Sequence, residues 1–228
     1  MANMEFPMTK KSVVFGTGTM ASLAWYCLTQ DSRHSVNAFT VNKAYLEKVL
    51  HEGLPVLAFE ELEKYFPVSS TNILIATGYS HMNGAREKLF LQVREKGYEI
   101  ISYVSSRAST WPDLQINQNT IIFEHSIVQP FSSIGENTII RCNVCISHHC
   151  KIGNHVFIAN GVTLGGNVTV GDRSFIGLCA AIRDGIKIAE GTFIGAGSVV
   201  LSDTEPDGVY VGNPAKKLNK KALDLVNI

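Results

Sequence analysis

The chain has 228 residues, 45% of them hydrophobic, a length that suits one large or two modest domains. Lysine plus arginine and aspartate plus glutamate balance at 20 each, and a neutral, unpatterned charge argues against a nucleic-acid or polyanionic-membrane partner. No apolar run reaches the roughly 18 residues that span a bilayer, no signal-peptide core opens the chain, and the five cysteines fit a reduced compartment, so a cytoplasmic location is expected.

Residues 1–9 read as a frayed leader. The apolar run at 11–15 predicts a strand that ends in Gly16-Thr17-Gly18-Thr19-Met20 and leads into a helix. Strand, glycine-rich turn and helix in that order present backbone N–H groups to a phosphate. With Ala21 the turn is formally the dinucleotide fingerprint G-x-G-x-x-A, but the second strand, 36–41, ends at Asn42 without the expected acid, which disfavours NAD. Short helices are predicted at 42–50 and 59–65, and a buried parallel strand at 72–77. Gly78-Tyr79-Ser80 then turns into a helix over 82–96, closed by Gly97, and a last strand covers 98–103. This is half of a doubly wound α/β sheet (a half-Rossmann domain, 1–104), with ligand loops at 16–20 and 78–80. The alternative is a plain α/β domain whose glycines only make turns. Residues 105–115, containing Trp111-Pro112, read as a linker.

From Ile116 to Val200 every sixth residue is a branched aliphatic, fifteen positions without a slip. A compact residue such as Ser126, Val144 or Cys150 sits four places after each. That period signals a parallel β-helix of hexapeptide repeats over 116–200. Each hexad supplies one short strand and a turn, and stacked coils of three hexads share one core. Residues 201–228 form a terminal loop and tail, in which 218–228 is an amphipathic candidate helix closing the solenoid end.

In the hexad Ile146-Ser147-His148-His149-Cys150-Lys151, Ile146 and Cys150 point inward, so both histidines face outward, as do His125 and His155. Imidazole is the usual general base near neutral pH. Eighteen residues after His148 stands Gly166, in the turn Gly165-Gly166-Asn167, so one coil stacks a bare backbone N–H over that imidazole. A base beside such a donor suits attack on a thioester.

The β-helix, the segment CISHHCKIG followed by GGNVTVG, and the ending GVYVGNPAK resemble the hexapeptide acyltransferases. With the N-terminal half-domain, the chain resembles the bacterial sialic acid O-acetyltransferase family, whose members include N-acetyltransferases of nucleotide-linked 4-amino-4,6-dideoxy sugars. The resemblance implies a left-handed β-helix, acetyl-CoA as acyl donor with no metal, and a cytoplasmic homotrimer with active sites between subunits. The expected role is acetylation of a UDP- or dTDP-linked amino sugar for a surface glycan. It places the base on His148 and the amide that holds the thioester carbonyl on Gly166. Coenzyme A is expected along Gly166, Asn167 and the loop Gly212, Asn213, Pro214, Ala215 and Lys216, with Lys216 and Lys217 near its phosphates. The nucleotide sugar is expected at Gly16, Thr17, Gly18, Thr19 and Met20, at Thr40 and Asn42, and at Gly78, Tyr79 and Ser80.

The chain departs from that pattern where a carboxylate usually follows the base; here His149 stands, so either histidine is a candidate base. Three other readings are open: sugar O-acetylation, a non-catalytic nucleotide-sugar scaffold, and a zinc carbonic anhydrase using His125, His148, His149 and His155. The Cys142-x-x-Cys145 pair falls at different corners of a coil and reads as accidental.

Overall fold

A computed structural model describes residues 10–225. The chain forms two units, one made of the residues up to Thr77 with Val93–Ile100, the other of Gly78–Gln92 with everything from Ile101 onward.

In the first unit β1 (Lys11–Phe15) pairs in parallel with β2 (Val36–Val41) and with β5 (Thr71–Ile75). The sheet continues outward through β4 (Leu54–Ala58) to β3 (Leu50–His51) on one side and to β6 (Glu99–Ile100) on the other. Central parallel strands are covered on both faces, which is why 13–15 and 73–75 are unbroken apolar runs and lie fully buried. Helix α1 (Thr19–Asp31) buries Ala21, Ala24 and Leu28, spaced as one helical stripe.

Three local expectations are corrected here. Instead of a helix at 42–50 there is a short 3-10 turn, Lys43–Tyr45, followed by the antiparallel hairpin β3–β4. Glu52 and Gly53 both take positive φ in its two-residue turn, and Pro55 disguised the second strand. The helix expected at 59–65 is a 3-10 helix, Phe59–Lys64. The strand expected at 98–103 divides: Glu99–Ile100 joins this sheet, whereas β7 (Tyr103–Val104) pairs with Ile121–Ile122 in the second unit.

The second unit contains the β-helix. Fourteen two-residue strands run from β8 (Ile121–Ile122) to β21 (Val199–Val200), and each of the first eleven pairs in parallel with the strand eighteen residues on. They form three sheets, one per face of the coil. The fourteen rungs from Ile122 to Val200 all lie in one core cluster. Up to Ile186 the compact positions between them are either apolar members of that cluster or hydroxyls bonded to the carbonyl fifteen residues on, as Ser126 Oγ donates to Arg141 O and Thr138 Oγ1 to Gly153 O. Each of these buried hydroxyls is thereby satisfied. Ile116, the first rung expected, is 39% exposed and lies outside the core. The stretch 105–115 is no free linker, since Ala108 and Leu114 pack on the core and Ser109 N–H donates to Ser126 O.

The segment 78–92 groups with the β-helix rather than with the α/β sheet. Helix α2 (Gly84–Glu95) begins later than expected because His81, Met82 and Asn83 take left-handed φ of 54°, 51° and 67°. Such a conformation costs about 1–2 kcal/mol per residue. Asn83 is held there by donating to the carbonyls of Arg173 and Ser174. Arg86, fully buried, donates to the carbonyls of Gly78, Asn137, His155 and Val156 and to Asn83 Oδ1. Burial pulls its guanidinium down to about 9, still charged at neutral pH.

At the C-terminus β22 (Gly208–Val211) extends one sheet of the β-helix and turns back antiparallel as β23 (Lys216–Lys221). This hairpin, followed by the 3-10 turn Ala222–Asp224, replaces the expected helix, whose last residues, 226–228, lie outside the described range.

Candidate functional site

Each corner of the coil turns on the third residue after the inward aliphatic, which takes left-handed φ. At the corner that follows β12 (Cys145–Ile146) this column is Phe131, His149, Asn167 and Gly185, at 65°, 59°, 61° and 72°. The residue just before it points outward, and that neighbouring column is Pro130, His148, Gly166 and Asp184.

His148 and His149 are exposed and touch each other, Nδ1 to Nδ1 at 3.1 Å, with rings nearly perpendicular. One nitrogen must donate and the other accept, so the two tautomers are complementary. Phe131 flanks His149, with ring centroids 4.7 Å apart. The His148 backbone is fixed on both sides: its N–H donates to Gln129 Oε1 at 3.0 Å and its carbonyl accepts from Asn167 N–H at 2.9 Å.

Gly166 lies against the His148 ring. A Cβ there would stand 2.6 Å from Cε1 and 2.9 Å from Nε2, so only glycine lets the imidazole sit this close. Its neighbour Gly165 is bare for the opposite side of the coil, where a Cβ would meet Asp184 N at 2.6 Å. The Gly166 N–H, the expected donor, is engaged: it donates to Asp184 Oδ1 at 2.7 Å. N–H groups at this point of a corner lie outside the backbone ladder, and others are met the same way: Glu136 N–H by Asn154 Oδ1, Asn154 N–H by Asp172 Oδ1.

The loop 212–216 joins β22 to β23 and packs on the last coil, with Ala215 N–H donating to Val199 O and Gly212 N–H to Ser198 Oγ. Val199 belongs to the same sheet as Cys145 and Thr163. The loop therefore lies about three strand spacings, or about 14 Å, along that face from the His148 coil. Asn213, Pro214 and Lys216 are exposed there, and Lys217 is paired with Glu205.

The remaining expected contacts fall in two places. In the first unit, Gly16 has φ 128° and its Cβ would meet Ala76 O at 3.0 Å, while Gly18 and Thr19 are exposed at the uncapped start of α1, near Thr17 and Met20 in sequence. Asn42 is partly exposed at the end of β2. Thr40 offers nothing to a ligand: it is fully buried and its hydroxyl donates to Leu57 O. In the second unit, Gly78 O accepts from Arg86 and Tyr79 packs against Phe157 and Phe175 at 4.8 and 4.6 Å, leaving Ser80 exposed.

The other histidines do not join His148. His155 points out of its coil but is buried under α2, between Asn137, Glu87 and Phe90. Among the described residues no group of three or more His, Cys, Asp or Glu converges as a metal site. Sequence reasoning missed Gln129, Phe131 and Asp184 around the histidine pair. The eighteen-residue step that leads from His148 to Gly166 leads onward to Asp184, so the period itself held that signal.

The family described as bacterial transferase hexapeptide (six repeats) matches residues 149–179. The chain matches no curated protein by sequence. Its fold matches the acetyltransferase domain of PglB from Neisseria gonorrhoeae FA1090 at TM-score 0.82 and 23% identity, covering 92% of this chain and 100% of that one. PerB from Caulobacter crescentus, in complex with CoA and GDP-perosamine, matches at TM-score 0.83 and 24% identity, covering 92% and 97%. WeeI from Acinetobacter baumannii AYE matches at 0.78 and 22%, covering 91% and 99%. At these identities the likeness establishes a shared fold.

Proposed function

We propose that the protein is an acetyl-CoA-dependent N-acetyltransferase whose acceptor is a nucleotide-linked amino sugar. The observation that carries this reading is the His148 imidazole packed on the bare Gly166 backbone, a base one coil from an N–H donor. Two likenesses support it: the PglB domain is also described with acetyl coenzyme A, and PerB with CoA and a nucleotide-linked amino sugar.

In this mechanism the sugar amine attacks the thioester carbonyl carbon while His148 Nε2 takes a proton from the attacking nitrogen. The Gly166 N–H stabilises the oxyanion, and the intermediate collapses with loss of the coenzyme A thiolate. His149 takes the place of an orienting carboxylate: with its Nδ1 accepting the His148 Nδ1–H, the His148 Nε2 lone pair is left to act as base. The coenzyme lies along the face from His148 to the loop 212–216. Copies of the chain meet on that face as a homotrimer, since its outward residues are small or apolar, with Ile127 43% exposed beside Thr163, Ala181 and Val199.

The test is thiol release from acetyl-CoA across UDP-, dTDP- and GDP-linked amino sugars. Release with at least one amino sugar is expected, lost in His148→Ala. Release only with a hydroxyl acceptor would turn the assignment to O-acetylation, and equal release by His148→Ala and His149→Ala would remove the mechanism. Light scattering should give a mass about three times 24.9 kDa.

A further inference from the structure

The engaged state of Gly166 has a functional consequence. We propose that Asp184 is a displaceable cap on the oxyanion donor: its carboxylate holds the Gly166 N–H until an acyl-CoA carbonyl replaces it, and returns once the acyl group has left. The inference rests on the acyltransferase reading.

Gly166 is buried, covered by the His148 ring and by Asp184, and its N–H makes its bond to Asp184 Oδ1 at 2.7 Å. Without that carboxylate the free protein would hold a buried donor unpaired, which is unfavourable. Asp184 itself is exposed, so on release its carboxylate returns to water rather than to an apolar site.

The corner that carries Asp172 is built alike but more tightly. There one carboxylate accepts both the Asn154 N–H at 2.8 Å and the Asn154 Nδ2–H at 3.4 Å, and the nearby histidine, His155, is buried rather than open to solvent. Asp184 makes a single bond of this kind, next to the one histidine pair that faces solvent.

The exchange works in both directions. A thioester carbonyl competes for the N–H and, as it becomes an oxyanion, competes better, because the donor then meets a full negative charge. Free coenzyme A carries no carbonyl at that sulfur, so after transfer the carboxylate recloses on the N–H without opposition. Asp184 therefore weakens ground-state binding of the acyl donor without weakening binding of the thiol product.

The experiment is calorimetric titration of the full chain with acetyl-CoA and with CoA, for wild type, Asp184→Ala, Asp184→Asn and Asp172→Ala. The readout is the ratio of the two dissociation constants, which a partly unfolded sample leaves unchanged because both ligands see the same competent fraction. Wild type is expected to bind the two ligands within about twofold of each other. Asp184→Ala should shift the ratio toward acetyl-CoA by about tenfold, Asp184→Asn by less, and Asp172→Ala not at all. CoA binding with an unchanged ratio in both Asp184 variants overturns the cap and leaves the acyltransferase reading standing. An equal shift in Asp172→Ala also overturns it, as a general effect of losing a corner bond. Failure of wild type to bind either ligand overturns both.

Discussion

His149 and His155 occupy the same place in the repeat, three residues after an inward isoleucine, and share a φ of 59°. His149 stands in solvent beside His148 and the exposed ring of Phe131. His155 lies in a column with Asn119, Asn137 and Arg173, sealed beneath α2 by Arg86, Glu87 and Phe90. The hexad determines which way a side chain leaves the coil and says nothing about what it meets there. One corner is left open to solvent, and the other is consumed in holding the segment 78–92.

The comparison breaks most clearly at the bases themselves. His148→Ala should lower kcat by about a thousandfold, within the usual range for losing a positioned base, while the unfolding midpoint stays unchanged, because an exposed ring contributes little to packing. Arg86→Met should do the reverse. It strips the donors from buried carbonyls on two coils and should cost about 3 kcal/mol in urea unfolding. A stability loss in the first variant equal to that in the second would erase the distinction between the corners.

Glycine substitutions sharpen the same contrast at smaller scale. An alanine methyl at 166 first meets the His148 ring, an exposed side chain held by a single ring bond to His149, whereas at 135 it meets the Gly153 backbone at 2.5 Å. Gly166→Ala should therefore lower kcat by tens of fold with less than about 1 kcal/mol of stability lost, and Gly135→Ala should lose about 2 kcal/mol or more. Paired activity and denaturation measurements separate the two.

The β-helix was legible because a strict period leaves few alternatives: from Ile122 onward each expected rung is in the core. The column His148–Gly166 was legible for the same reason. What the sequence concealed depends on contacts without a period. Residues 78–92 reach the β-helix through Asn83 and Arg86, polar side chains that give no apolar signature, so the segment read as part of the α/β domain. Leu54–Ala58 was concealed by Pro55, and 103–104 by its continuity with a strand of the other sheet. Thr40, aligned with an expected ligand contact, turned inward to Leu57 O, a choice that strand alternation alone does not fix.

The smallest effect expected is a pH dependence confined to the sealed corner. Asn119 Nδ2–H donates to Asn137 Oδ1, which orients the Asn137 amide so that its Nδ2–H donates to His155 Nδ1 at 2.8 Å. The ring proton then sits on Nε2, 3.5 Å from Glu87 Oε1. Protonation would place a second donor against Asn137, and burial, chiefly, holds the His155 pKa below 6.5, reinforced by Arg86 and opposed by Glu87, Glu136 and Asp172. Between the folded pKa and 6.5 the unfolded chain binds a proton that the fold does not, so stability falls as the pH drops through this window and levels off below it. His155→Asn keeps a residue tolerant of left-handed φ, extends the asparagine column and removes the titration. Its unfolding free energy should track that of wild type above pH 7 with an offset of about 1 kcal/mol, and the offset should shrink as the pH falls below 6.5. A constant offset across that range would mean that His155 takes up its proton in the fold as readily as in the unfolded chain, and that the two corners differ less than their burial implies.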